Sequence, residues 1–343
     1  MIAAVDAAIA RGVAFLGKAQ LPSGEIPVFT STDPEMADEG ATDPSIFPTA
    51  LAAHSLSFSA EAAASALRAQ DFLLAEMGPT GLWRHWTRGH PHFASLPPDL
   101  DDTSSASLAL RAAGRAVPDN RTLLLANRDR EGRFYTWLIP RLRWMGGAHL
   151  RFSLRRLHRL PALWMFFRLT SAKPDDVDAC VNASALAYLS PFAGEEAVVG
   201  FLLGVLRREG ERQCDKWYDN PFAVRYLLSR GLAGRAPQAG PLIVARTAAD
   251  APRSHLDHAL AAAALLDWGS DAAPHIEALL AGQRADGSWP RAVLYHGGRA
   301  RLPAGGFAEP HPDTPRWGSE ALSTAFAIEA LARWRSAPQA LNR

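Results

Sequence analysis

A chain that repeats one helix–turn signature at a regular interval can bury its apolar faces only by stacking the repeats on one another. Here the signature is Arg11-Gly12-x-x-Phe15-Leu16-x-x-x-Gln20-x-x-x-Gly24-x-Ile26. It returns as Arg68-Ala69-x-x-Phe72-Leu73-x-x-x-Met77-x-x-x-Gly81-x-Trp83, then in shortened form as Arg128-x-x-x-Gly132-x-Phe134 and as Gln283-x-x-x-Gly287-x-Trp289. With the last gap taken as three repeats, the period is about 52 residues, which suits one helical hairpin per repeat. The glycine turns the chain after an outer helix and the aromatic packs back against the next helix. Trp83 and Trp289 are therefore read as structural residues of the repeat.

Between these turns run alanine- and leucine-rich segments whose apolar residues recur at helical spacing, while strand-like alternation is nearly absent. The periodicity predicts helices over roughly 2–20, 46–57, 60–77, 100–115, 118–128, 176–190, 194–208, 220–231, 255–268, 272–283 and 317–335. Six of them superpose by their alanine–leucine register: "PTALAAHSL", "DTSSASLAL", "VNASALAYL", "NPFAVRYLL", "AAAALL" and "STAFAIEAL". In that register Phe47, Asp101, Cys180, Asp219, Asp257 and Leu322 are equivalent. Six such helices make the inner ring of a barrel, with their N-terminal ends facing one cavity. The expected fold is all-α, an α/α barrel (toroid) of about six helical hairpins forming one domain over 1–343. The long step from Asp101 to Cys180 reflects an insert at about 139–170, and only 284–315, rich in Gly, Pro and His, lacks helix signals.

Composition narrows the function. The formal net charge of +1 removes the global electrostatic case for nucleic acid. Cys180 and Cys214 are too few and too isolated for a disulfide framework or a structural zinc cluster. Asp6 and Arg11 interrupt the first apolar run, so no signal peptide is expected, and no uncharged stretch is long enough to span a bilayer. The expected location is the cytoplasm.

The chemistry concentrates in "PPDLDDTSSASLAL", residues 97–110, where three aspartates occupy four positions at the start of an apolar helix. One aspartate satisfies a helix N-cap; three do not follow from capping. Crowded carboxylates cannot all ionise cheaply, so at least one pKa rises. The adjoining helix N-terminus stabilises the carboxylate left after a proton departs. Both properties suit a donor that must be protonated at rest yet strongly acidic when it acts.

The glycine–aromatic repeats resemble the QW motifs of terpene cyclases, and Asp99-Leu100-Asp101-Asp102-Thr103 resembles their class II DxDD motif. That family usually pairs two helical domains. This chain has length for one, so it resembles the single-domain class II terpene cyclases, relatives of the squalene–hopene cyclase barrel. The resemblance implies that Asp101, the middle aspartate, protonates a terminal alkene or epoxide of a polyprenyl substrate. Asp99 and Asp102 would tune its pKa and orientation. Carbocation polycyclisation would follow, ended by deprotonation or water capture, and the chemistry is that of an isomerase (intramolecular lyase).

Such a reaction needs a dry cavity that folds the prenyl chain, with aromatic faces that stabilise cations without trapping them. Near the inner-helix starts stand Phe47, Trp217, Tyr218, Phe222 and Trp317, with Trp86 just after a repeat turn. Each also fits as core packing. Asn182 and His258 fall at the same rim, to orient Asp101, to take the final proton, or to serve structure alone. The lipophilic partner expected is a farnesyl or geranylgeranyl chain, either as diphosphate or on an aromatic head group. No cofactor is expected for a diphosphate-free substrate. Mg²⁺ enters only to grip a diphosphate, where "DPEMADEG" (33–40) with Lys216, Arg225 or Arg230 is the candidate site, although a solvated loop explains 33–40 as well. No DDxxD-type motif for diphosphate departure is present. The reading therefore favours a prenylated aromatic or other diphosphate-free substrate over a cyclase of the drimenyl or copalyl diphosphate type.

The segment 141–169 mixes seven arginines with Trp, Phe, Met and Leu, a composition for a peripheral membrane contact or for a lid over the cavity. Three rivals remain. A zinc-dependent protein prenyltransferase β-subunit shares the barrel and needs an Asp/Cys/His site, for which Cys214, Asp215, His255 and His258 are the available residues. A non-catalytic helical-repeat binding protein needs no acid at 101. A glycosidase on an α/α barrel wants two separated acids in an open polar cleft.

Overall fold

The computed structural model of the chain describes residues 1–141, 147–303 and 305–337. Its helices are α1 (Ile2–Ala19), α2 (Phe47–Leu56), α3 (Ala63–Glu76), α4 (Leu100–Ala112), α5 (Arg121–Leu125), α6 (Gly147–Arg156), α7 (Leu160–Leu169), α8 (Ala179–Leu189), α9 (Glu195–Arg207), α10 (Pro221–Leu232), α11 (Ala239–Ala249), α12 (His255–Asp267), α13 (Ala273–Gly282) and α14 (Glu320–Ser336). Among the described residues, α2, α4, α8, α10, α12 and α14 each touch the next and α14 returns to α2, which closes a ring. Outside it, α1 packs on α14, α3 on α2, α9 on α8, α11 on α10 and α12, and α13 on α12. This is an all-α toroid.

The two layers have different sequences for a physical reason. Outer α1 buries Val5, Ala8, Ile9, Gly12 and Leu16, one stripe at helical spacing, and leaves its charges outside. Inner α8 buries every residue from Ala179 to Leu189. A helix flanked on all sides needs small side chains for close approach, hence its alanines.

The repeat has a structural meaning that runs through both layers. Gly24 and Gly287 both have φ of +92°, and a Cβ there would lie 2.1 Å from the Arg68 carbonyl oxygen and 2.4 Å from that of Arg11. Only glycine fits such a turn. Gln20 Nε2 donates to the Gly24 carbonyl at 2.8 Å, and Gln283 Nε2 to that of Gly287 at 2.9 Å. Trp83 and Trp289 each donate their indole N–H to the preceding outer helix, at the Leu73 and Leu279 carbonyls. The backbone N–H groups of Ile26, Trp83, Phe134 and Trp289 donate to Thr49, Thr103, Asn182 and Thr324 respectively. Each acceptor stands two places after its register-equivalent residue, Phe47, Asp101, Cys180 and Leu322.

Several expected elements differ. Helix 118–128 shrinks to α5, and 60–77 opens with one 3₁₀ turn, Ala60–Ala62. Helix α11 was not expected, because Gly240 and Pro241 disguise its pattern. Four very short strands accompany the helices: β1 (Phe29–Ser31), β2 (Ala41–Thr42), β3 (Tyr295–His296) and β4 (Arg316–Gly318) form an antiparallel sheet in the order β2-β1-β4-β3. These two- and three-residue strands are too short to show an alternating pattern. Of the insert, 142–146, including Trp144 and Met145, lie outside the described residues. The rest forms α6, the 3₁₀ turn Leu157–Arg159 and α7. Among the described residues no helix is long and apolar enough to cross a membrane.

Candidate active site

At the N-terminal end of the ring lies a cavity of about 400 Å³ with a mostly apolar wall. Phe47, Asp101, Asp102 and Val181 enter it from the first turns of α2, α4 and α8, and Trp217, Tyr218 and Trp317 from the segments leading into α10 and α14. The first turns of α2, α4 and α8 share this space, while those of α10 and α12 border a separate cleft.

The aspartates divide the local work among themselves. Asp99 is the N-cap of α4 and accepts the Asp102 N–H at 2.8 Å. Its residence there is helped by pairing of the Asp99 and Trp137 backbones. Asp101 is left free of capping. Its Oδ2 accepts the Tyr218 hydroxyl at 3.0 Å, while Oδ1 is buried without a hydrogen-bond partner. Burial first, then the charge of Asp99, pushes the Asp101 pKa up to about 7, against the opposing pulls of Ser184, Tyr218 and Arg230. Burial also raises Asp102 well above the usual carboxylate range, reinforced by Asp99 and Asp101. Asp101 therefore keeps a substantial protonated fraction near neutral pH, where an ordinary carboxyl is ionised. Its conjugate base is met by a hydroxyl and by the start of a helix.

Tyr218 reaches Asp101 because its loop is pinned to α8. Asp215 accepts the Cys180 N–H at 2.8 Å and the Trp217 N–H at 2.9 Å, and Asp178 accepts the Lys216 N–H at 3.1 Å. These buried carboxylates accept backbone N–H groups of the loop and of α8, with Asp178 also accepting the Thr136 hydroxyl, and so hold the loop against α8.

Aromatic rings form the upper wall. Tyr295 stacks on Trp317 at 5.2 Å between centroids, and it meets Phe47 edge-on at 5.6 Å. Trp86 stacks on His90 at 4.7 Å. Asp43 gathers this group: its Oδ2 accepts the indole N–H of Trp317 at 2.7 Å and of Trp86 at 3.1 Å, and its Oδ1 lies 3.1 Å from His90 Nε2. On the other side Trp137 meets Phe166 at 5.1 Å and Trp217 at 5.8 Å.

Of the residues expected at the site, Asp99, Asp101, Asp102, Phe47, Trp86, Trp217, Tyr218 and Trp317 surround this cavity. Three do not. Asn182 bonds both the N–H and the carbonyl of Phe134, as the repeat's anchor on α8. Phe222 lies beneath Arg225 at 4.8 Å and lines a separate cleft with Asp219 and Asn220. His258 turns away to His275 on α13, with the two Nδ1 atoms 3.0 Å apart. A helical residue two or three places from an inward-facing one points elsewhere, which register alone does not reveal.

The basic and metal candidates are also placed. Lys216 is buried against Asp176 at 2.7 Å, and Arg225 pairs with Asp250. Arg230 packs on Tyr226 and does not line the cavity. The loop 33–40 folds on itself, with Asp33 accepting the Glu35 and Ala37 N–H groups. Among the described residues no group of three or more His, Cys, Asp or Glu gathers to hold a metal ion, so Cys214, Asp215, His255 and His258 do not converge. Sequence reasoning missed His85, Trp137, Phe166, Tyr295 and His296, which line the cavity from loops, the insert and β3. The density of His, Trp and Tyr in 85–92 and 284–315 was the available signal.

No protein-family model matches the chain, and no curated protein matches it in sequence. Solved structures do match. The type II terpene cyclase MstE from Scytonema, without ligand, is 18% identical with a TM-score of 0.65, covering 98% of this chain and 100% of that one. A variant of MstE in complex with its substrate geranylgeranyl dihydroxybenzoate gives 18% identity and a TM-score of 0.65 over 98% of this chain and 99% of that one. A protein from Actinoplanes is 20% identical with a TM-score of 0.64, covering 96% of this chain and 99% of that one. Over essentially its whole length, the chain has the all-α fold of the terpene cyclases.

Proposed function

We propose that the protein is a class II terpene cyclase in which Asp101 starts carbocation polycyclisation of a polyprenyl chain. The observation that carries this is Asp101 itself, a buried carboxyl with a pKa raised to about 7 at the wall of a mostly apolar, aromatic-lined cavity. The Asp101 O–H bond breaks, its proton adds to the terminal alkene or opens an epoxide, and the bonding pair stays on the carboxylate. Tyr218 holds that carboxylate. Each new cation is attacked by the next alkene, so ring formation consumes π bonds and needs no oxidant. The folded cavity sets the order of attack, and the rings of Phe47, Trp86, Trp217, Tyr295 and Trp317 stabilise positive charge without offering a lone pair as good as an alkene. Deprotonation or water capture ends the sequence.

For the substrate we infer a farnesyl or geranylgeranyl chain carried by an aromatic acid, with no metal required. Lys216 and Arg225, two of the basic residues considered for gripping a diphosphate, are committed to Asp176 and Asp250. MstE, with the same fold, carries geranylgeranyl dihydroxybenzoate. The rival is a Mg²⁺-requiring cyclase of prenyl diphosphates of the drimenyl or copalyl type. Incubation with both substrate classes, followed by mass spectrometry for isomeric products, separates the two. Absence of any isomeric product from either class overturns the cyclase reading.

The insert extends this reading to substrate delivery. On α6 and α7, Leu154, Trp164, Met165 and Leu169 are exposed beside Arg151, Arg155 and Arg168, while Phe166 on the same hairpin lines the cavity. A face of that composition next to a cavity for lipid-like chains fits a peripheral contact with an anionic membrane surface. Co-sedimentation with anionic vesicles, lost in Trp164→Ser with Leu169→Ser, tests it.

A further inference from the structure

A cyclisation begun by Asp101 must also end, and the cavity contains few groups able to take a proton from carbon. The acid lies at the inner-helix end. Successive ring closures move the positive charge along the cavity wall, part of which is the aromatic belt of Trp86, Tyr295 and Trp317, with the Tyr295 ring 6.4 Å from that of Tyr218. A cation that ends beside that belt needs a base within reach.

His85 stands there. Its imidazole meets Trp86 and Tyr295 at 5.6 Å and Trp317 at 5.8 Å between ring centroids, each close to perpendicular. Its backbone carbonyl accepts the Ile46 N–H at 2.7 Å, which fixes it against the start of α2. Among the described residues no hydrogen bond engages either of its ring nitrogens, and the side chain lines the cavity.

Most of the other groups on the wall are occupied or enclosed, the Tyr295 hydroxyl among the enclosed ones. The Tyr218 hydroxyl is given to Asp101. Asp43 accepts two indole N–H groups and faces His90. His296 has Nδ1 on the Gly297 carbonyl at 2.6 Å, and its Nε2 is buried beside Asp219 at 3.7 Å. His92 is exposed at the rim. Burial holds the His85 pKa down at about 4, so its imidazole is neutral with a free lone pair at neutral pH, while nearby Asp43 favours the imidazolium once it forms.

Resting on the cyclase reading above, we propose that His85 is the base that ends the reaction. A C–H bond beside the last cation breaks, its electron pair becomes the product's double bond, and the proton moves to an imidazole nitrogen. His85 then returns that proton to solvent, and Asp101 takes one up for the next turnover. The cycle is proton-neutral and redox-neutral.

The test compares wild type with His85→Phe, which keeps the ring and loses the base, and His85→Gln, which keeps polarity and loses basicity. Products are identified by mass spectrometry and NMR, with H₂¹⁸O to mark water capture. The expected result is substrate consumption within about threefold of wild type but a roughly tenfold or greater fall in the wild-type alkene, replaced by isomeric alkenes or ¹⁸O-labelled alcohol. An unchanged product mixture in both variants overturns the assignment while leaving the cyclase reading intact. So does a wild-type product that already carries ¹⁸O, or loss of fold or of all consumption in both variants. A wild type that cyclises nothing removes the cyclase reading and this inference with it.

Discussion

The Tyr218 hydroxyl donates to Asp101 Oδ2 at 3.0 Å, across 117 residues of chain. The bond favours the ionised form of the acid, so it makes Asp101 a stronger donor at the cost of protonated fraction. Tyr218→Phe should lower turnover about 10- to 100-fold, the range for a hydrogen bond to a charged group. It should also move the alkaline limb of the pH–rate profile upward. An unmoved limb would show that Tyr218 is not coupled to the acid.

Asp101→Asn keeps the size of the side chain and removes the proton. Cyclisation should fall by at least about 10³-fold with the circular dichroism spectrum unchanged. Wild-type turnover in this variant would mean that the proton comes from elsewhere. In wild type, kcat/KM should fall as pH rises through about 7, where Asp101 loses its proton.

The same acid should cost stability. Asp101 binds its proton more tightly folded, at a pKa of about 7, than unfolded, near 3.8, so its contribution falls as pH rises from about 4 through 7. Asp101→Asn removes that penalty. It should be more stable than wild type at pH 8, by up to roughly 4 kcal/mol, and little different at pH 4. Urea denaturation at the two pH values measures the difference; equal effects at both would contradict the burial argument.

Gly24→Ala and Gly287→Ala should each destabilise the protein by more than about 2 kcal/mol, since both need a positive φ and a Cβ would strike a backbone carbonyl of another repeat. Losses below about 0.5 kcal/mol would show that the turns relax.

On a prenylated aromatic acid, EDTA should leave turnover unchanged, because protonation of an alkene needs no metal at the head group. Complete loss restored by Mg²⁺ would favour the diphosphate substrate.

The sequence by itself determined the ring. Alanine-rich helices that are apolar on every side have no stable place except between two others, and glycines before aromatics mark where each hairpin turns. It also marked the aspartate cluster 99–102 as the place for chemistry, because three aspartates in four positions exceed what a cap requires. Only the tertiary structure decided which side chains surround that acid. Asn182 and Phe222 sit at inner-helix starts like Asp101, but the turn of about 100° per residue aims one at the Phe134 backbone and the other at a neighbouring cleft. His85, Trp137, Tyr295 and His296 come from loops and a two-residue strand, whose positions are set by contacts far along the chain, such as Tyr295 against Trp317 and Asp99 against Trp137. Helical periodicity is local and can be read from neighbours in sequence. The cavity wall is assembled from segments that meet only after the ring has closed.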